Sequence, residues 1–232
     1  MPQNPPSSIC PLCHSVTVQF FNADKIRQYF LCTTCAYVFV PAAFHPAPDR
    51  EKRRYDLHQD DPSEPGYRRF LETLIQPMIP HLAPGSHGLD FGCGPSFSHA
   101  VLFKERGFTM NVYDPFYAAK TDALDQPYDF IVCSEAIEHF FKPAAEWALW
   151  LRLLRAGGWL GIMTQLRDGI PDFSKWWYTT DETHVGFFSQ ATFQFLAQRD
   201  GLLLEFKPPS VTLLQKPSPQ TRQLIDPHRK DR

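Results

Sequence analysis

The chain has 232 residues and a mass of 26.7 kDa, room for one catalytic-size domain and a small appendage. Hydrophobic residues make up 43% and charged residues 21%, which argues against wholesale disorder, and a formal net charge of -2 excludes a strongly basic nucleic-acid coat protein while leaving room for a local basic patch. No run approaches the ~18 apolar residues of a membrane span, and the start lacks a basic stretch followed by an apolar one, so a cytoplasmic, non-membrane setting is expected.

Four of the six cysteines come first: Cys10-Pro-Leu-Cys13, then eighteen residues, then Cys32-Thr-Thr-Cys35. Disulfides are disfavoured in a reducing compartment, and this spacing fits a zinc site. Two residues between cysteines let a tight turn aim both thiolates at one ion, and two such turns complete a tetrahedral all-sulfur shell for Zn2+ with no open position, hence a structural one. The intervening residues read as two short strands around Asn22–Lys25, followed by an exit strand, Tyr37–Val40. Residues 1–45 are therefore expected to form a four-cysteine zinc ribbon that relies on its metal for much of its folding energy. Cys93 and Cys133 sit in apolar segments and read as small core residues.

Residues 46–65 are polar and proline-rich with charges of both signs, and read as a linker whose Arg50–Arg54 run is a solvated helix end or a phosphate contact. Tyr67, Phe70, Leu71, Leu74 and Ile75 recur at helical spacing and predict an amphipathic helix ending near Pro77–Pro80. From residue 84 strands and helices alternate. Strands are predicted at 88–91, 110–113, 128–133 and 159–164, with helices at 97–106 and 144–154, the second stopped by Arg155-Ala156-Gly157-Gly158. Ser189 caps a helix running to Arg199 and Gly201 stops it. Residues 203–206 and 211–215 form a closing antiparallel hairpin around Pro208-Pro209. Residues 217–232 read as a flexible tail. Alternating elements predict an α/β sheet with helices on both faces.

The central signal is Leu89-Asp90-Phe91-Gly92-Cys93-Gly94-Pro95-Ser96, a buried strand running through G-x-G into a helix. Glycine suits a tight turn where a ligand approaches the backbone. Asp90 stands two residues before the first glycine, and Asp114 ends the next strand, where a carboxylate can take both ribose hydroxyls of an adenosine. A nicotinamide site would want a small residue where Phe97 stands, and Asp90 would repel a diphosphate. It suits instead the amino group of a methionine, so the turn fits S-adenosylmethionine better than NAD.

This turn, Tyr113-Asp114-Pro115, the run from Tyr128 to Phe140 and Leu153–Thr164 together resemble the class I S-adenosylmethionine-dependent methyltransferases and are most similar to the group that includes the ubiquinone-pathway O-methyltransferases. The resemblance covers residues 66–216. It implies a Rossmann-like, largely parallel seven-stranded sheet whose last strand is antiparallel, with cofactor at the carboxyl ends of the strands. It assigns Asp90, Gly92 and Gly94 to the methionine-binding turn and Asp114 to the ribose. Pro115 and Phe116 flank the adenine, and Ser134 and Glu135 line the methionine and sulfonium end. The short stretch between Asp114 and Tyr128 departs from the family and predicts a missing or shortened edge element.

Glu135, Glu138 and His139 are spaced to share one helical face. His139 can act as general base or polar guide for the acceptor. Alternatively, E-x-x-E-H resembles the metal-binding motif of small-RNA 3′-terminal 2′-O-methyltransferases, for which His184 is the available further histidine. In a third reading His139 only lines the cofactor wall. The aromatic stretch 172–188 either stacks on a flat acceptor through Trp176, Trp177, Tyr178, Phe187 and Phe188 or packs on the core. Asp181 and His184 are the second-tier catalytic candidates beside Glu138 and His139. The sequence thus reads as an enzyme methylating a small-molecule acceptor. The alternatives are an RNA methyltransferase with the ribbon as reader, or a non-catalytic ribbon module that binds protein. Oligomeric state is left open.

Overall fold

The computed structural model describes residues 9–57 and 61–219. The expected tail, apart from 217–219, and three residues of the expected linker lie outside them. The first strands among the described residues form a hairpin, β1 (Val18–Ala23) and β2 (Gln28–Cys32), followed by β3 (Val38–Phe39). The hairpin turn is closed by Asp24, whose carboxylate accepts the amides of Ile26 at 2.7 Å and Arg27 at 2.6 Å.

The segment read as linker holds a helix, α1 (Pro48–Tyr55), with Pro at its start, Asp49 and Glu51 in the first turn and Lys52, Arg53 and Arg54 in the last. That charge order matches the helix dipole. Next, α2 (Pro65–Met78) is capped by the Glu64 carboxylate, which accepts Tyr67 N–H, and buries Leu71, Leu74, Ile75 and Met78 on one face. The alternating part comprises β4 (His87–Phe91), α3 (Ser98–Glu105), β5 (Thr109–Tyr113), β6 (Tyr128–Ser134), α4 (Pro143–Leu153) and β7 (Leu154–Met163). It ends with β8 (Gly186–Phe187), α5 (Gln190–Asp200), β9 (Leu203–Lys207) and β10 (Val211–Gln215). The expected cap and stop of α5 are present: Ser189 Oγ accepts Thr192 N–H at 3.2 Å, and Gly201 takes φ 66°. Residues 155–158, expected as a helix stop outside any strand, belong to β7 instead. There Gly157 N–H donates to Lys216 O at 2.7 Å and Lys216 N–H to Gly158 O at 2.9 Å, and the β6–β7 register shifts between Tyr128 and Phe130.

The main sheet has six strands in the order β5-β4-β6-β7-β10-β9. The first four are mutually parallel, and β10 runs antiparallel to both β7 and β9. The fold is thus the α/β, mostly parallel, Rossmann-like sheet expected. The seventh strand is missing among the described residues: beyond β5 the chain makes only a short 3-10 turn, Thr121–Leu124, because too few residues separate Asp114 from Tyr128 for a helix and a strand. One face is covered by α2 and α3 through Leu71, Leu74, Met78, Leu102 and Phe103 against Phe130, Val132 and Met163. Trp147, Trp150, Phe193 and Leu196 of α4 and α5 cover the other, against Phe91, Ile131 and Leu160.

The ribbon is built into this body. A second sheet, β1-β2-β3-β8, joins its three strands to one from residues 186–187, so hydrogen bonding crosses the boundary expected at residue 45. Tyr29, Val38 and Val40 pack on Phe173, Trp176, Tyr178 and Phe187 beneath it. The aromatic stretch is therefore mostly core; Trp177 alone of its six large aromatics is exposed, at 63%. No helix among the described residues is long and apolar enough to cross a membrane.

Candidate active site

A cavity of about 680 Å³ opens at the carboxyl ends of β4, β5 and β6. Its floor is the glycine turn. Gly92 and Gly94 take φ of 76° and 59°. A Cβ on Gly92 would lie 2.6 Å from that of Ala136, whereas one on Gly94 would meet nothing within 4 Å, so Gly94 leaves bare backbone facing open space. Asp90, only 2% exposed, accepts the Ala100 amide at 3.1 Å and so ties the strand end to α3. Burial, assisted by the charge of Asp114, pushes its carboxyl up to about 7. Asp114 is the staple of the turn: one oxygen accepts Gly94 N–H at 3.1 Å, the other accepts Phe116 N–H at 2.8 Å and Tyr117 N–H at 3.1 Å. Two carboxylate oxygens offer about four acceptor positions, so capacity for a ligand hydroxyl remains.

Pro115, Phe116, Ser134 and Glu135 line the same cavity. Glu135 sits at φ 45°, a left-handed conformation that carries strain for a non-glycine residue. Its Oε1 is buried without a hydrogen-bond partner among the described residues, and its other oxygen accepts Tyr178 O–H at 3.4 Å. Burial, then the charge of Glu138, pushes it up to about 8. His99, which sequence reasoning missed, also lines the cavity; its Nε2 has no partner among the described residues, and burial lowers the ring to about 4. A polar residue on the otherwise apolar face of α3, shortly after the glycines, is the only sequence signal it left.

The acid–histidine cluster forms at the far end. Residues 137–139 make a single 3-10 turn, so the expected shared helical face does not exist. Convergence comes from a second segment. Glu138 is fully buried; Tyr178 O–H donates to one of its oxygens in a short contact, and Thr164 O–H to the other at 2.9 Å. Burial raises its carboxyl, against the opposing pull of His184. His139 Nδ1 lies 3.1 Å from Thr183 O and His184 Nδ1 2.7 Å from Tyr178 O, with the two rings edge to face at 4.6 Å. Each Nδ1 proton is assigned to a carbonyl, which leaves the lone pair on Nε2. One ligand atom each from Glu138, His139 and His184 lie within 4.8 Å of one another. Asp181 is differently placed. It accepts Thr183 N–H at 2.9 Å and Thr183 O–H at 2.6 Å and pairs with Arg54 at 2.8 Å. Burial would raise it, but the Thr183 hydrogen bonds, His184 and Arg54 together hold it at about 2. Such a group orients neighbours and is a poor proton acceptor near neutrality.

Helix α1 roofs the cavity with Glu51, Arg54 and Tyr55. The Tyr55 ring meets His139 edge to face at 5.2 Å and Phe116 at 5.7 Å. The roof is fastened by Arg54–Asp181 and by Arg50–Glu182, whose Nε–Oε1 distance is 2.7 Å. Trp177 is the aromatic of the 172–188 stretch that, with Tyr178, reaches the cavity.

In the ribbon all four sulfurs converge: Cys10 to Cys35 is 3.7 Å and Cys13 to Cys32 is 3.5 Å. A tetrahedral shell with ~2.3 Å metal–sulfur bonds has edges of about 3.8 Å, so this donor set fits Zn2+. The two turns are alike. In each, the residue after the second cysteine, His14 or Ala36, has positive φ and donates its amide to the first cysteine's carbonyl at 2.9 Å. Cys133 lies in the core; Cys93, though buried, also lines the cavity, and burial raises both thiols.

A family profile described as "Methyltransferase domain" matches residues 64–205, more than half of the chain, and the chain belongs to that family. No curated protein matches the sequence. Among solved structures, the chain is similar to the Burkholderia thailandensis 1,6-didemethyltoxoflavin-N1-methyltransferase with bound 1,6-didemethyltoxoflavin and S-adenosylhomocysteine, at TM-score 0.53 and 14% identity over 86% of this chain and 100% of that one. It is also similar to a chain of the Haloferax volcanii complex between the Trm112 methyltransferase activator and a methyltransferase, at TM-score 0.51 and 12% identity over 74% of this chain and 100% of that one. At these identities the likeness concerns the fold.

Proposed function

We propose that this member of the methyltransferase-domain family is an S-adenosylmethionine-dependent enzyme that methylates a small-molecule acceptor beneath the α1 roof. The orphaned buried atoms of Glu135 and His99 and the bare backbone at Gly94 are what a polar ligand would complete, so the residues fit the cofactor. Asp90 and the 92–94 backbone would hold its methionine end, Asp114 its ribose, Pro115 and Phe116 its adenine, and Ser134 and Glu135 the region of its sulfur. The cofactor supplies a methyl group on a sulfonium, open to in-line attack by a nucleophile. The protein must then align the acceptor and remove its proton.

The observation that carries this reading is the convergence of Glu138, His139 and His184 in the same cavity as the glycine turn. A neutral imidazole with its lone pair on Nε2 and its other nitrogen fixed on a carbonyl is set to take a proton from an acceptor O–H or N–H. A second reading of the cluster is supported by the same geometry. A carboxylate with two carbonyl-oriented imidazoles, one ligand atom from each within 4.8 Å of the others, is a donor set for a divalent transition metal. The ion would polarise an acceptor hydroxyl. We read the four N-terminal cysteines as a structural Zn2+ site, residues 1–45 as its ribbon and 66–216 as the catalytic unit.

A small-molecule acceptor is favoured over RNA because most of the basic side chains that could meet phosphate are already paired. Arg27 of the ribbon is 6% exposed, and Lys52, Arg53, Arg54 and Arg68 pair with Asp56, Asp49, Asp181 and Glu105. Calorimetric titration with S-adenosylhomocysteine and metal analysis of the purified protein test the reading. Binding with about one zinc per chain is expected, and a second metal equivalent lost in Glu138→Gln would select the metal form of the cluster. Absence of any S-adenosylhomocysteine binding would refute the assignment.

A further inference from the structure

We infer that Arg27, a residue of the ribbon, is a positioning residue for the reaction centre, fixing the backbone of residues 179–184 so that His184 and the Thr183 carbonyl meet His139 and Glu138. The inference rests on the proposed role of that cluster, and it gives the ribbon a task in the chemistry beyond folding.

The loop divides its carbonyls between two sides. Tyr178 O and Thr183 O face the cluster, where they hold the Nδ1 atoms of His184 and His139. Thr179 O, Asp181 O and His184 O face the ribbon, and all three accept from one guanidinium. Arg27 Nη1 donates to Asp181 O at 3.1 Å and to His184 O at 3.2 Å, and Nη2 makes a short contact with Thr179 O. Its Nε donates to Asp24 Oδ2 at 3.2 Å, and the guanidinium carbon lies 5.3 Å from the centre of the Tyr29 ring. Asp24 is itself held by Tyr29 O–H at 2.5 Å and by two turn amides, so the guanidinium plane is set from within the hairpin.

Planar, five-donor geometry is what one residue needs to satisfy three backbone carbonyls and a carboxylate at once; an ammonium on a flexible stem does not reproduce it. Buried carbonyls left without a donor would drive the loop to rearrange, and that rearrangement moves the two carbonyls that orient the imidazoles. A second link runs alongside: Val40 N–H donates to Val185 O at 2.8 Å, and Val185 N–H to Glu138 O at 2.9 Å. Tyr37 fills the space where a side chain at 186 would be, since a Cβ on Gly186 would lie 1.9 Å from its hydroxyl, so ribbon and loop cannot separate without exposing this packing. The cofactor turn, by contrast, is braced by Asp114 and the end of β5. Arg27 should therefore govern the acceptor end and leave the cofactor end intact.

Nitrogen-15 NMR of histidine-labelled protein, recorded without cofactor or acceptor, tests this, with His139→Gln and His184→Gln used for assignment. In the wild type both rings should show the Nδ1–H tautomer with protected protons. In Arg27→Gln the protons should exchange with solvent faster by roughly an order of magnitude and the tautomers should mix, while S-adenosylhomocysteine affinity stays within about twofold. Arg27→Lys, which keeps the charge, should share the defect; it also serves if the Gln variant does not fold. Val18→Ala, in the same hairpin but away from the loop, should leave both ring signals unchanged. Unaltered ring signals in both Arg27 variants would overturn the inference. So would equal loss in Val18→Ala, or a fall in cofactor affinity that parallels the ring signals, since either would mean general destabilisation. A wild type that fails to bind S-adenosylhomocysteine would count against the cofactor reading alone, because the ring signals are read without it.

Discussion

Replacing Asp114 by Ala should produce two separable losses. The carboxylate holds three backbone N–H groups, those of Gly94, Phe116 and Tyr117, at 2.8–3.1 Å. Water will replace part of these contacts, so a net cost of about 2–3 kcal/mol is expected, at roughly 1 kcal/mol per hydrogen bond. For a chain of this size that lowers the melting temperature by about 4–12 °C, at ~2–4 °C per kcal/mol. The second loss concerns the ligand. If the remaining acceptor positions take the ribose hydroxyls, about 1.5–3 kcal/mol of charge-assisted hydrogen bonding disappears, which weakens S-adenosylhomocysteine roughly 10- to 150-fold. Calorimetric titration at a temperature where the variant is folded, beside differential scanning calorimetry, reads both. A melting point that falls as calculated with affinity unchanged within twofold would show Asp114 to be a turn staple only, and the ribose contact would have to be sought elsewhere. If neither quantity moved, the geometry of the turn itself would be refuted.

Gly92→Ala and Gly94→Ala should behave in opposite ways. The first adds a 2.6 Å contact with Ala136 to a left-handed φ and should destabilise the protein by about 1–3 kcal/mol by thermal melting, whereas the second meets nothing within 4 Å, so its cost is only that of a left-handed φ, about 1 kcal/mol, and its main effect should be to weaken S-adenosylhomocysteine binding; the reverse order would contradict the assigned cradle. Burial raises Asp90 from 3.8 to about 7, so the folded protein keeps a proton that the unfolded chain releases. Stability of the ligand-free protein should therefore decline as pH rises from about 4 to about 7 and level off above, and Asp90→Asn should flatten that slope in pH-dependent melting. Affinity for a ligand ammonium should run the other way and tighten as pH rises through 7; calorimetry showing no such trend would remove Asp90 from the methionine end. Cys10→Ser should take the zinc content from about one equivalent to none and lower the melting point, since the closed all-sulfur shell loses one of its four sulfurs. Retention of zinc at full occupancy would argue against a four-thiolate site.

Short-range patterns in the sequence were sufficient for most of the scaffold. Apolar periodicity marked the parallel strands and α2, the paired cysteines marked the four-sulfur cluster, and G-x-G between a buried strand and a helix marked the glycine turn that floors the cavity. The shortness of the 114–128 stretch pointed to a missing or shortened edge element, and among the described residues no strand follows β5 at that edge. These features are legible because steric preference, turn chemistry and alternation are settled within a few residues of chain. Where a local pattern misled, a distant partner had intervened. Residues 155–158 look like a helix stop but are drawn into β7 by Lys216, and the choice left open for the 172–188 aromatics, acceptor wall or core, is decided mostly for the core by ribbon strands over a hundred residues upstream.

The candidate site followed the same division. Sequence alone could put Glu138 beside His139 and name His184 as a candidate; only packing could bring His184 across 45 positions to face them and fix both rings on backbone carbonyls. The charged linker gave no sign that α1 would roof the cavity, nor the ribbon that Arg27 would be turned inward. A side chain's neighbours along the chain are set by covalent geometry. Its neighbours in space are chosen by burial of apolar surface and by the requirement that every buried polar group find a partner, and those conditions are met only once the whole body has closed.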